Sequence, residues 1–180
     1  MTHIIYRTCE KINPLNGTRL PWCRNIEFKN KCLKSLTADL IGCEYKFTVI
    51  GDKLSEDSIN KIKEIVPIAD IQNFKEGLGN VKSLLESYSI ADKVDKEEDI
   101  LFFCEDDYLF LPKWFSNMNH FFANIGNRFE NSFYHPTDYP DQYRDDRTRR
   151  SYIFINPNGG WFREIDSITC TKACSVKTYK

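Results

Sequence analysis

The chain has 180 residues, a net charge of −1, 41% apolar and 28% charged residues, the make-up of one folded domain with a real core and not of a disordered segment. This balance supplies no overall basic field for a nucleic-acid partner, and the basic patch Arg147–Arg150 is local and preceded by its own acids, Asp145 and Asp146. No run approaches the ~20 apolar residues of a membrane span.

His3 to Thr8 is a short β-rich run and predicts a first strand. A polar stretch with Pro14, Gly17 and Pro21 reads as a loop. From Trp22 to Leu40, Ile26, Cys32, Leu33 and Leu36 with neighbouring lysines predict an amphipathic helix. Glu44 to Asp52 is a second strand. Ser55 to Val66 is a helix with Ser55 as its N-cap and acids in its first turn. Ile68 to Phe74 is a weaker strand. Glu76 to Lys93 carries Val81, Leu84, Leu85 and Tyr88 as the inward stripe of a further helix.

Asp99 to Cys104 is apolar after its first residue, as in a strand covered on both faces. Pro112 to Ile125 opens a helix with Phe115, Met118, Phe122 and Ile125 inward. The last third is more irregular, with a turn at Asn158-Gly159-Gly160 and a final β-prone run, Ser167 to Thr171. Alternating strands and helices predict a single α/β domain, Rossmann-like, around a mostly parallel sheet flanked by helices, with a smaller antiparallel hairpin region in the C-terminal third.

Seven cysteines include no Cys-x-x-Cys pair. Cys32, Cys43 and Cys104 lie in apolar stretches and predict buried thiols in a reducing compartment. The N-terminus lacks a basic start and long apolar run, so no secretory signal is read there and a cytoplasmic location is expected.

The stretch ILFFCEDDYLF, residues 100–110, runs an apolar strand into Glu105, Asp106 and Asp107. Adjacent carboxylates repel unless positive charge sits among them. Open α/β sheets bind ligands beyond the carboxyl ends of their strands, where Arg7 and Thr8, Asp52, and the acid triplet are expected to gather. Glu105 and Asp107 share one side of an extended backbone, so they can serve one hard divalent cation, Mn²⁺ or Mg²⁺.

Together these features resemble a nucleotide-sugar-dependent glycosyltransferase of the GT-A fold. The resemblance covers roughly the first 110 residues and implies a donor half, residues 1–110, and an acceptor-side half, residues 111–180. It implies Asp107 as metal ligand with Glu105, Glu105 or Asp106 near the ribose, and Thr8 and Asp52 at the nucleobase. Gly79-Asn80 falls beside the donor, and Arg7 or an arginine of the 147–150 cluster on its diphosphate. The loop after the first strand is longer than in that family and lacks its Pro-x-Tyr-Asn pattern, and a minimal domain or part of a longer chain is expected.

The reaction the resemblance implies is metal-dependent transfer from a nucleoside-diphosphate sugar to a glycan or other hydroxyl acceptor, written as inverting hexosyl transfer with retention left open. UDP-sugars are favoured; GDP- and TDP-sugars present the same imino N–H to Asp52. Glu164 is the first candidate for the base and Asp138 the second, with Asp141 and Asp166 as other nearby acids. Gly160 and Trp161 present an indole to an acceptor sugar, whereas His135 reads as a packed side chain. The competing readings are a metal-dependent phosphoesterase or nuclease and a non-catalytic nucleotide- or glycan-binding module.

Overall fold

A computed structural model describes residues 1–11, 26–126, 132–136, 153–155, 161–163 and 171–180. In chain order the elements are β1 (Thr2–Cys9), α1 (Ile26–Ala38), β2 (Tyr45–Asp52), α2 (Glu56–Ile65), β3 (Asp70–Phe74), α3 (Gly79–Ala91) and β4 (Ile100–Glu105). There follow α4 (Trp114–Asn124), β5 (Phe133–Tyr134), β6 (Ile153–Ile155), β7 (Trp161–Arg163), β8 (Lys172–Ser175) and α5 (Val176–Tyr179). Six strands form one sheet in the order β3-β2-β1-β4-β8-β5. The β3, β2, β1 and β4 ladders are parallel, and β8 pairs antiparallel with both β4 and β5. β6 and β7 make the expected separate antiparallel pair.

Strand order reverses beside β1: successive crossovers lead outward to β2 and β3, and β4 then inserts on the other side of β1. That reversal opens a crevice between the carboxyl ends of β1 and β4. Strand alternation assigns side chains to two packed layers. Ile4, Tyr6, Phe102 and Cys104 join the core that includes Leu33 and Leu36 of α1, Ile62 of α2, and Trp114 and Met118 of α4. Ile5, Leu101 and Phe103 face the other way, into the core with Ala91 of α3, Cys174 and Val176. β4 is therefore covered on both faces, as its unbroken apolar run predicts.

Local chemistry sets the helix starts. Ser55 caps α2, its hydroxyl accepting from the Ser58 N–H. α4 begins after Lys113 in a left-handed conformation, φ 70°. The Asp39 carboxylate accepts the N–H groups of Lys113 at 3.2 Å and Phe115 at 2.9 Å, bracing that start from the end of α1. At the opposite end of the sheet, buried Asp99 accepts from the N-terminal ammonium and pairs with His3 Nε2, each at 2.8 Å.

Two expectations are corrected. Of the stripe Val81, Leu84, Leu85 and Tyr88, α3 packs Tyr88 against the core while Val81 and Leu85 are exposed, and Ser83, Ser87 and Ala91 are the residues it buries. Small side chains let the helix lie close to the sheet, and the serine hydroxyls are satisfied by bonds to backbone carbonyls one turn back. Of the expected run Ser167 to Thr171, residues 167–170 lie outside the described residues; the described strand there is β8, Lys172–Ser175. Cys43 is exposed, in the turn between α1 and β2, while Cys32 and Cys104 are buried.

Candidate functional site at the carboxyl edge of the sheet

Register brings the polar strand ends together. Arg7 and Glu105 are direct partners across the β1–β4 ladder, and Cys9 lies opposite Asp52 across β1–β2. The parity that separates the two cores also separates the acids. Glu105 follows Leu101 and Phe103 toward the α3 side, where the Arg7 guanidinium forms an ion pair with it. Arg7 also donates to the Asn80 carbonyl at 3.2 Å, the Asn80 side-chain oxygen at 3.3 Å and the Ser83 hydroxyl at 3.2 Å.

Asp106 turns to the α1 side and is 6% exposed. One carboxylate oxygen, Oδ2, receives the Thr8 hydroxyl at 2.8 Å, the Lys29 ammonium at 2.8 Å and the Cys9 N–H at 3.4 Å. Lys29 also donates to the Cys9 carbonyl and lies 3.4 Å from Cys9 Sγ. Burial works against the Lys29 charge, but the Asp106 carboxylate and Cys9 outweigh it and hold the ammonium above its ordinary pKa. Burial pushes the Cys9 thiol up, with Lys29 opposing.

The third strand end completes the edge. Asp52 Oδ2 accepts the Gly79 N–H at 2.7 Å, at the start of α3. Gly77 has φ +84°, and a Cβ there would stand 2.3 Å from Lys53 Cε and 3.1 Å from Asp52 Oδ1. Glu10 accepts from both the N–H and the hydroxyl of Ser55, each at 3.1 Å. Burial raises its pKa, but these bonds prevail and hold the carboxyl below its usual range. Cys9, Glu10, Asp52, Lys53, Gly77 and Gly79 are among the residues lining a cleft of about 650 Å³.

Most residues expected at the donor site therefore meet. Asp52, Gly79, Asn80, Arg7 and Glu105 form a continuous hydrogen-bonded rim, and Thr8 joins Asp106 beneath it. Asp107 follows in the turn after β4. His135 bonds through Nδ1–H to the Thr171 carbonyl, and the Thr171 hydroxyl accepts the Glu105 N–H at 3.3 Å, so this histidine supports the acid strand through a neighbour. Glu164, Asp138, Asp141, Asp166, Gly160 and the 147–150 arginines lie outside the described residues; Trp161 begins β7. Lys29, Glu10, Ser83 and Gly77 escaped the sequence reading. For Lys29 a signal existed: it occupies the first position of the buried stripe that continues through Cys32, Leu33 and Leu36 at helical spacing.

Glu105 and Asp107 offer hard oxygen donors of the kind Mn²⁺ and Mg²⁺ take. Among the described residues no three histidine, cysteine or acidic side chains cluster as a ready-made metal site. Two carboxylates still suit a cation whose remaining ligands are water and phosphate oxygens.

The domain is an α/β fold of Rossmann-like kind, with a mostly parallel sheet. No family model and no curated protein sequence matches the chain. Among solved structures it is similar to the galactosyltransferase LgtC in complex with donor and acceptor sugar analogs, with a TM-score of 0.52 and 8% identity. The alignment covers 98% of this chain and 59% of that one, so the chain spans less than two thirds of the galactosyltransferase. At that identity the likeness carries the fold and not the chemistry. No helix among the described residues is long and apolar enough to cross a membrane.

Proposed function

We propose that this chain transfers a sugar from a nucleoside diphosphate to a hydroxyl acceptor, a glycan being the favoured kind. The observation that carries the reading is the continuous rim Asp52–Gly79–Asn80–Arg7–Glu105 beside a 650 Å³ cleft at the carboxyl edge of a parallel sheet. The galactosyltransferase of similar fold was solved with donor and acceptor sugar analogs, and that pairing is the one we carry to this chain.

In this reading the base enters the cleft beside Asp52, whose Oδ1 accepts an imino N–H while Oδ2 stays on Gly79. UDP-sugars are favoured, with GDP- and TDP-sugars as the other donors. Arg7 sits between Asn80 and Glu105, where its guanidinium can turn toward phosphate oxygens. Asp107, with Glu105, would hold Mn²⁺ or Mg²⁺. When bound, that ion supplies positive charge against the departing diphosphate. Glu164 is our choice of base for inverting hexosyl transfer and Asp138 the alternative, with Gly160 and Trp161 on the acceptor side. The free thiols of Cys9, Cys32, Cys43, Cys104 and Cys174 fit a reducing cytoplasmic setting.

The test is calorimetric titration with UDP, GDP and TDP, with and without Mn²⁺, followed by incubation with the labelled sugar conjugate of whichever nucleotide binds. Metal-dependent binding and release of the labelled sugar, to acceptor or to water, support the proposal. Binding without turnover would leave a carrier module. Cleavage of a generic phosphodiester with no nucleotide binding would move the acids to a phosphoesterase.

A further inference from the structure

We infer that Lys29 is a positioning residue for the acid triplet: its buried ammonium pins Asp106 and the end of β1 together, and through them sets where Glu105 and Asp107 present their carboxylates. The inference rests on the donor-site reading above and adds to it a group from α1 that touches neither base nor phosphate.

The geometry leaves little freedom at this ammonium. Lys29 is 3% exposed, and its three N–H directions are matched by three neighbours: Asp106 Oδ2 at 2.8 Å, the Cys9 carbonyl and Cys9 Sγ at 3.4 Å. Asp106 Oδ2 in turn collects Lys29, the Thr8 hydroxyl and the Cys9 N–H. Three elements are tied at one point: α1 by Lys29, the end of β1 by Thr8 and Cys9, and the turn after β4 by Asp106. Glu105 ends β4 and Asp107 follows Asp106 in the turn, both bonded to Asp106 through the main chain, so pinning the middle carboxylate restricts where the backbone places its two neighbours. Cys9 also belongs to the wall of the cleft. Lys29 therefore connects the cleft wall to the acid turn from below.

A buried charge pair is weak evidence of stability, because a well-packed apolar pair often replaces it at no cost, whereas removing one partner leaves the other charge buried alone. This asymmetry supplies the experiment. Lys29→Met, Asp106→Asn and the double variant Lys29→Met/Asp106→Asn are made in the full chain. Three measurements follow: thermal melting, hydrogen exchange of the peptides covering residues 8–11 and 105–110, and UDP affinity in Mn²⁺. Lys29→Met is expected to melt earlier, and the double variant to recover most of that loss.

If Lys29 positions the triplet, both variants that lack it show faster exchange at 105–110. Their UDP·Mn²⁺ affinity falls about tenfold or more, the range in which groups that orient a metal's ligands act. Affinity and exchange that return to wild type in the double variant, along with the melting temperature, would overturn the inference and leave Lys29 a purely structural group. So would unchanged exchange at 105–110 in both variants, whatever the nucleotide result. A wild-type chain that binds no nucleoside diphosphate sinks the donor reading instead, and the exchange measurement still decides whether Lys29 holds the acid turn.

Discussion

Arg7 and Glu105 stand opposite each other on adjacent parallel strands, and their side chains close an ion pair over the crevice between them. A long cation and a carboxylate meeting at the point of strand-order reversal provide the positive charge that an acidic strand end needs. They also hold that charge where a phosphate could compete for it.

Arg7→Met should separate these two roles. Loss of the partly buried pair and of the bonds to Asn80 and Ser83 is expected to cost about 2 kcal/mol in urea unfolding. Binding of UDP should weaken by about tenfold or more, since an arginine–phosphate contact is charge-assisted. Arg7→Lys should recover part of the stability and little of the affinity, because an ammonium lacks the planar fork that matches carboxylate and phosphate oxygens two at a time. Titration calorimetry of the two variants side by side checks this.

Asp107→Asn is expected to remove the Mn²⁺ dependence of nucleotide binding while leaving the melting temperature within a few degrees of the parent. Relief of repulsion among neighbouring acids offsets what the substitution costs. An unfolded variant, or one whose nucleotide binding still responds to Mn²⁺, would place Asp107 in a structural role.

The sheet's other end predicts an acid limb. Burial raises the Asp99 carboxyl, but hydrogen bonds from the N-terminal ammonium and His3 prevail and lower its pKa. A carboxylate lowered on folding contributes stability above its unfolded value of about 3.9, and the contribution is lost as pH falls through the lower folded value. Asp99→Asn should therefore destabilise the protein by about 2–4 kcal/mol at pH 7. It should also flatten the fall in stability below about pH 4. Melting curves from pH 7 down to about pH 3 report both.

Gly77 and Gly79 make a controlled comparison. Both have positive φ, +84° and +68°, but a Cβ at Gly79 meets nothing within 4 Å, while one at Gly77 runs into Lys53 and Asp52. Gly79→Ala should cost only the left-handed penalty of about 1 kcal/mol. Gly77→Ala should cost slightly more, about 1–2 kcal/mol, because the end of the Lys53 side chain must swing aside to admit the methyl group. It should also weaken nucleotide binding by displacing Lys53 from the cleft. Urea unfolding and UDP titration of the two variants measure the difference.

The strand and helix succession was legible because each element carries its own period: Ser55 announces α2, and the apolar run before Glu105 announces a strand with two covered faces. The buried side of α3 was not, because leucine and valine outrank serine in any apolar count. The inward face was chosen instead by how closely the helix approaches β1 and β2. The neighbours of the acids were hidden for a related reason. A lysine in an apolar stripe reads as a solvated residue until a carboxylate from a strand much later in the chain arrives beside it. Parity along β4 did foretell that Asp106 would leave on the opposite side from Glu105. It could not say that Lys29 and Thr8 would meet it there.

The edge on which the proposed chemistry depends joins groups 98 residues apart in the chain. During synthesis Arg7 emerges early and has no carboxylate to meet until β4 has left the ribosome and slid in beside β1. A nascent chain ending anywhere in α3 already holds β1, β2 and β3 but only half of this edge. A fragment that stops short of residue 105 lacks the acidic half of the edge and is expected to hold no nucleotide.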